Sequence, residues 1–409
     1  MKNSKQILSI ASGEGITRRE GLMLTVLGSA LALAGCGGGG GGGGTAPTGG
    51  TIAGSGSSTT GAITGFGSII VGGVRYDDSA ASVSDDDGAT RSSGDLKLGM
   101  VVMVKGGKKS DDGVSIRANA NTIEVYSELL GPIDAITGTS MQVLGQTVTT
   151  TPTTVFEDGL TLAALKSADV VEVYGFVDPL NKTMVATRVE RETKRNAFKL
   201  QGAISGLNTA TKTFSIGTLT ISYLTADLPA GLTLADKLVV RVRLAINPLT
   251  GTRTALKIRT ADNRRDDADE AEVEGIITAL TSTSRFSVNG LPVDASAATF
   301  KNGTTGLVVG ARVEVEGRVV NGVLMATKVK LEKGEDDKYK FELHGLVSAL
   351  DKTARTFMVR GVSVTYSNTT TLFKNGATLV NLANGNNVEI KGVLSNGNIV
   401  TATEISLEK

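Results

Sequence analysis

A glycine flanked by apolar strand residues recurs at Gly61, Gly131, Gly202, Gly275 and Gly345, about 70 residues apart each time. A chain with this period must build one small unit five times and bury the apolar face of every copy. Three landmarks keep step with the glycine. The first is a short hairpin: IIVGGVRY, MQVLGQTV, FSIGTLTI, FSVNGLPV and FMVRGVSV. The second is an apolar residue ahead of a glycine turn at Phe156, Phe300 and Phe373, with Val83 and Leu228 in the corresponding places. The third is a strand pair, ARVEVEGRVVNGVLMATKVKL in the fourth copy, echoed by LGMVVMVKG, ADVVEVYG, ADKLVVRVRL and GNNVEIKG. Its second strand ends in patterns such as ATRV, ATKV and ATEI.

Polar and apolar residues alternate through Arg312-Val313-Glu314-Val315-Glu316, which places one strand face in a core and the other in water. Asn289-Gly290 and Asn321-Gly322 suit two-residue hairpins, where both positions take positive φ. The fourth copy yields five strands in all. In the second copy, GLTLAALKSAD lies between the third and fourth strands and has room for about two helical turns. Five strands with a small helix after the third is the order of an OB-like Greek-key barrel, whose closure removes unpaired edges. The expected fold is all-β: a tandem array of five such barrels at 61–126, 129–191, 198–262, 270–332 and 340–409. Mixed-charge strings between copies, RETKRNA, DNRRDDADEAE and EKGEDDKYK, read as solvated connectors. They predict barrels set in a row, freer toward the C-terminus; a five-bladed propeller is the alternative. Ile69, Met141, Phe214, Phe286 and Phe357 share one hairpin slot and read as core plugs, since the slot accepts Ile and Met as readily as Phe.

The N-terminus has its own logic. Lys2, Lys5, Arg18 and Arg19 precede the apolar run GLMLTVLGSALALAG, which is too short for a span of ~20 residues and fits a signal-peptide core over 1–35. Leu33-Ala34-Gly35-Cys36 resembles a bacterial lipobox. That resemblance implies cleavage before Cys36, a diacylglycerol on its thiol and acylation of the new amino group, a durable anchor at ~0.8 kcal/mol per buried methylene. The segment 36–60 that follows is rich in Gly, Ser and Thr and cannot bury apolar surface. It reads as a flexible tether reaching roughly 25–30 Å. Gly37 in place of Asp fits sorting to the outer membrane, and Thr17-Arg18-Arg19 leaves twin-arginine export open beside the general secretory route.

Composition limits the chemistry. With 42 Lys+Arg against 41 Asp+Glu the chain carries no strong field for nucleic acid, and at 4% aromatic with no Trp it lacks stacking side chains. One Cys excludes an intrachain disulfide, and one His argues against a Ser-His-Asp triad or a multi-His metal site within one subunit. That residue, His344, stands where other copies carry Thr60, Leu130, Gln201 and Glu274, as an exposed strand position would. Asp85, Asp86 and Asp87 ahead of Gly88 are calcium candidates by their clustered oxygens, although an EF-hand loop would want an acid where Val83 stands. Asp266, Asp267, Asp269 and Glu270 are similar, with Arg264 and Arg265 beside them to compete with any cation.

The segment 61–107, through GFGSIIVGGVRYD and LKLGMVVMVKG, resembles the bacterial domain-of-unknown-function family 5666, found in glycine-tethered lipoproteins and often repeated. The likeness is closest in the first copy; the later four keep the hairpin and the VEVxG strand but lose GFGS. The family supports architecture and address and implies no activity. The expectation is a non-enzymatic envelope lipoprotein, a spacer or interaction scaffold without cofactor. It is held to the membrane through Cys36, with an envelope protein or a glycan as partner and no nucleic acid. The alternative is a lipoprotein whose barrel faces bind carbohydrate or calcium.

Overall fold

The computed structural model describes residues 56–408, apart from 112–114, 158–159, 179–182, 194–195, 248–250, 262–266, 333–339 and 396–398. The signal peptide, Cys36 and most of the tether lie outside the described residues. Alternating apolar and polar residues give strands throughout. The described helical structure is confined to two three-residue 3-10 turns, Ser93–Asp95 and Leu162–Ala164. The second stands where about two helical turns were expected: Leu165 has to drop into the core directly after it, which leaves no length for more.

The fourth copy shows how the unit closes. Its first strand, Ala268–Ser282, pairs antiparallel with the second, Arg285–Val288, and with the fourth, Arg312–Val320. The third strand, Leu291–Asp294, pairs antiparallel with the second and runs parallel to the fifth, Val323–Leu331, which returns to the fourth. The order first-second-third-fifth-fourth closes a small barrel of the expected OB-like kind. The first copy closes identically. So do the second and the fifth. In the third the first strand is interrupted at Ile204, and closure is otherwise the same. The apolar residue of the second landmark sits on a short added strand parallel to the fifth, at Ser82–Asp85, Val155–Phe156, Thr299–Lys301 and Leu372–Lys374. Ile69, Met141, Phe214, Phe286 and Phe357 are all buried and plug the cores.

One glycine explains the VEVxG pattern. At Gly175, Gly317 and Gly392 the fourth strand bulges against the fifth. An added methyl there would overlap the carbonyl oxygens of Val185, Met325 and Thr401. Gly106 answers to it in the first copy, while the third bulges with Leu244 in that place.

The five barrels do not lie in a row. The first strand of the first copy, Ser57–Phe66, pairs parallel at Ser57–Thr60 with Glu270–Val273 of the fourth copy. Its other end, Gly65 and Phe66, pairs with Glu342 and Leu343 of the fifth. Leu129 and Leu130 of the second copy pair with Leu200 and Lys199 of the third. Hydrogen bonding therefore joins copies one, four and five in one strand network and copies two and three in another. The first copy also touches the second, where Thr187 Oγ1 donates to the Gly99 carbonyl at 2.6 Å, and the third, where Lys199 Nζ donates to Asp86 at 3.1 Å. The first copy is the hub. Residues 57–60, expected in the tether, are buried in its first strand, because a second copy supplies the hydrogen-bonding partners that a tether would lack.

Replacing Gly317 with Ala should destabilise the protein by about 2–4 kcal/mol, read as a lowered denaturant midpoint. A cut engineered within 333–339 should leave two fragments that co-elute on gel filtration in native buffer and separate in denaturant.

Candidate functional site

In an isolated barrel the outer side of the first and fourth strands would face water. In this assembly it is covered. Glu172, Glu272, Glu274 and His344 all lie on it and are all buried. These positions form three charged seams around the first copy.

The seam with the third copy centres on Asp86, which is 4% exposed. Its carboxylate accepts from Lys199 Nζ at 3.1 Å and from Arg241, and Arg259 stands 3.4 Å away. Asp87 lies 3.7 Å from Lys199, 3.6 Å from Arg243 and 3.5 Å from Arg259. Lys199 Nζ also donates to Ser127 at 3.1 Å, and Arg241 to Glu128 at 2.8 Å. Asp85 turns away and caps its own loop, accepting from the backbone N–H groups of Asp87 and Ala89 at 3.1 and 2.8 Å. The triplet considered for calcium is thus split, and Asp86 and Asp87 are matched by cations that the third copy brings. Arg241 has an identifiable origin in the sequence: VVRVRL carries Arg where VEVYG, VEVEG and VEIKG carry Glu172, Glu314 and Glu389.

The seam with the fifth copy holds His344, which the structure buries where an exposed strand position was expected. Its Nδ1 lies 2.6 Å from Glu408, and its Nε2 lies 3.0 Å from Glu342 and 2.8 Å from Arg75 Nη1. Arg75 also pairs with Glu342 and, at 3.4 Å, with Glu389. Glu342, His344 and Glu389 could converge on one metal ion. However, the Arg75 guanidinium supplies the positive charge between them, and Lys391 pairs with Glu389 at 3.1 Å. Burial works against the charged form of His344, yet hydrogen bonds to Glu342 and Glu408 outweigh it and raise its pKa. Burial likewise opposes ionisation of Glu342, but hydrogen bonding to His344 and Glu389 and the charge of Arg75 pull it down to about 2.

The seam with the fourth copy buries Glu272, which accepts from Lys109 Nζ at 2.9 Å, while Glu270 accepts from the Lys109 backbone N–H at 2.9 Å. Burial pushes the Glu272 carboxyl up to about 8 against the pull of Lys109. Nearby, Glu274 pairs with Arg312, whose guanidinium lies 5.0 Å from the Phe176 ring of the second copy. Asp267 and Asp269 are exposed, and Asp266, Arg264 and Arg265 lie outside the described residues.

Residues 131–190, 274–330 and 344–406 each match the domain of unknown function DUF5666. The chain thus carries DUF5666 three times. The matched DUF5666 segments are the second, fourth and fifth copies; the first, where the likeness was expected to be closest, is not among them. All three matched copies carry both the bulge glycine and the outward glutamate of VEVxG, whereas the third copy has Leu244 and Arg241 in those places. No curated protein matches the chain.

The sign of the Glu272 effect is set by its raised pKa. Between the unfolded value near 4.5 and about 8 the folded protein holds the extra proton, so stability falls as pH rises through that window. Thermal unfolding of Glu272→Gln should therefore show a flatter decline in Tm from pH 5 to 8 than the unsubstituted protein. The raised His344 pKa adds a contribution that is complete below about 6.5 and is lost above it.

Proposed function

We propose that the protein is a bacterial cell-envelope lipoprotein, anchored through Cys36 in the outer membrane, whose five barrels act together as a non-enzymatic interaction scaffold. The observation that carries this reading is the hub: the first copy is tied to each of the other four, so the array behaves as one body. The chemistry of the side chains agrees. The sole His is spent on an ion-pair seam between barrels. Phe and Tyr side chains, which would stack on a sugar or a base at the face an OB-type barrel uses for binding, are buried or half-buried wherever the burial of the residue is described. The alternative, calcium held by Asp85, Asp86 and Asp87, loses support because two of the three carboxylates face Lys and Arg. A glycan-binding reading has no exposed aromatic platform among the described residues to favour it.

The anchor is tested with Cys36→Ser, which should yield a chain without acyl mass that is released from membranes. Unchanged mass and retention would refute it. The scaffold is tested by crosslinking intact envelopes and purifying the chain: a stoichiometric protein partner is expected, whereas saturable glycan or calcium binding by the purified protein without such a partner would displace this reading.

A further inference from the structure

The joint between the first and second copies has a donor half and an acceptor half, and both recur elsewhere in the chain. The donor is the turn that enters the fourth strand. In every copy the turn residue donates its N–H to the first strand: Gly99 to Ile63, Ala168 to Ile133, Lys237 to Ile204, Gly310 to Ile277 and Gly385 to Val347, at 2.7 to 2.8 Å. In the first copy the peptide Leu98-Gly99 presses on the fifth strand of the second. A methyl on Gly99 would come within 2.5 Å of the Thr187 carbonyl oxygen, so only glycine permits that approach. The acceptor is the ATRV sequence at Ala186–Val189. Thr187 Oγ1 donates to the Gly99 carbonyl at 2.6 Å and Arg188 Nη1 to the Leu98 carbonyl at 3.1 Å.

The fourth copy carries both halves, and neither is covered by another barrel; Lys328 pairs with Glu316 of its own barrel, much as Arg188 pairs with Glu190 beside it. Its turn is Val308-Val309-Gly310, with the valines 55% and 36% exposed and Gly310 at φ 88°. Its acceptor is ATKV, with Thr327 exposed and Lys328 placed as Arg188 is, one step along the same register from the short added strand. Hydroxyl orientation separates occupied from open acceptors. Thr187, with a turn docked on it, reaches out to that turn, whereas Thr327 folds back on the Glu316 carbonyl at 3.2 Å and Thr403 of the fifth copy on Lys391 at 3.0 Å. The other copies each lack a component. Ala168 and Lys237 put a Cβ at the turn, Glu404 replaces the cationic donor and pairs with Lys374, and Leu256 replaces the threonine.

We propose that a second copy of this chain docks here, the Val308–Gly310 turn of one molecule seating on Thr327 and Lys328 of another as Leu98-Gly99 seats on Thr187 and Arg188 within one molecule. The occupant is argued from that existing interface: the turn of another barrel is what the structure shows seated on the equivalent Thr187 and Arg188, and the fourth copy offers the matching turn. If the two contacts are reciprocal the product is a closed dimer; if each molecule uses one half, it is an open chain. This goes beyond the scaffold reading and does not depend on the lipid anchor.

The test uses the full chain, expressed in two differently tagged forms in the same cells, one bearing Val309→Cys and the other Thr327→Cys. Mild oxidation should give a mixed-tag disulfide product that is absent when either form is paired with the unsubstituted chain, which carries Cys36 alone. Val380→Cys, at a side chain 85% exposed on the fifth copy, is the control for indiscriminate apolar contact. Sedimentation of the purified chain should show a species of twice the mass or larger, lost in Val308→Asp with Val309→Asp and retained in Val380→Asp. A monomer at every concentration, no mixed product, or equal crosslinking from Val380→Cys would each overturn the proposal. Repeating the crosslinking with Cys36→Ser separates failure of the anchor from failure of the contact.

Discussion

Charged side chains on the outer face of the first and fourth strands, matched across barrel boundaries, are the constraint on which the arrangement depends. A closed five-strand barrel satisfies its own backbone and needs no neighbour. What obliges it to have one here is that Asp86 and Glu272 are out of water, and each would be costly to bury without its partner from another copy. Matched seams of this kind add little net stability over apolar ones, but they specify which faces meet. Thus Asp86 of the first copy meets Lys199 and Arg241 of the third, while Lys109 and Arg75 of the first meet Glu272 of the fourth and Glu342 of the fifth.

This division of labour explains what could be read from the residues alone. Barrel closure follows from local signals: period-two alternation through Arg312–Glu316, positive-φ hairpins at Asn289-Gly290, and the bulge glycine of VEVxG. These recur through the copies, apart from Leu244 at the bulge of the third, and with them the strands, their order and the core plugs were legible. The spatial order of the copies was not, because it rests on pairs separated by more than a hundred residues, such as Arg75 with Glu342 or Arg241 with Asp86. The alternation that assigns Glu314 to an outer face is correct about the barrel, yet cannot say whether that face meets water or another barrel. For the same reason His344 read as exposed.

One signal for the assembly was present in the residues. Across the outward position of the fourth strand, Glu172, Glu314 and Glu389 are acidic while Arg241 is basic, and the copy with the inverted charge is the one that meets the acidic loop of the first. A departure from the repeat's own consensus therefore marks a place where the repeat has acquired a particular neighbour. Leu98, buried against the second copy where Val309 of the fourth is exposed, marks another.

The strand Ser57–Phe66 is the first described element after the N-terminal segment, and it is held along one edge by the fourth strand of its own barrel and along the other by the fourth copy. A pull on the chain ahead of Ser57 acts lengthwise on this strand. Its hydrogen bonds lie across that direction and resist together in shear instead of opening one after another. Any load applied ahead of Ser57 would thus enter the folded body through a strand pulled in shear.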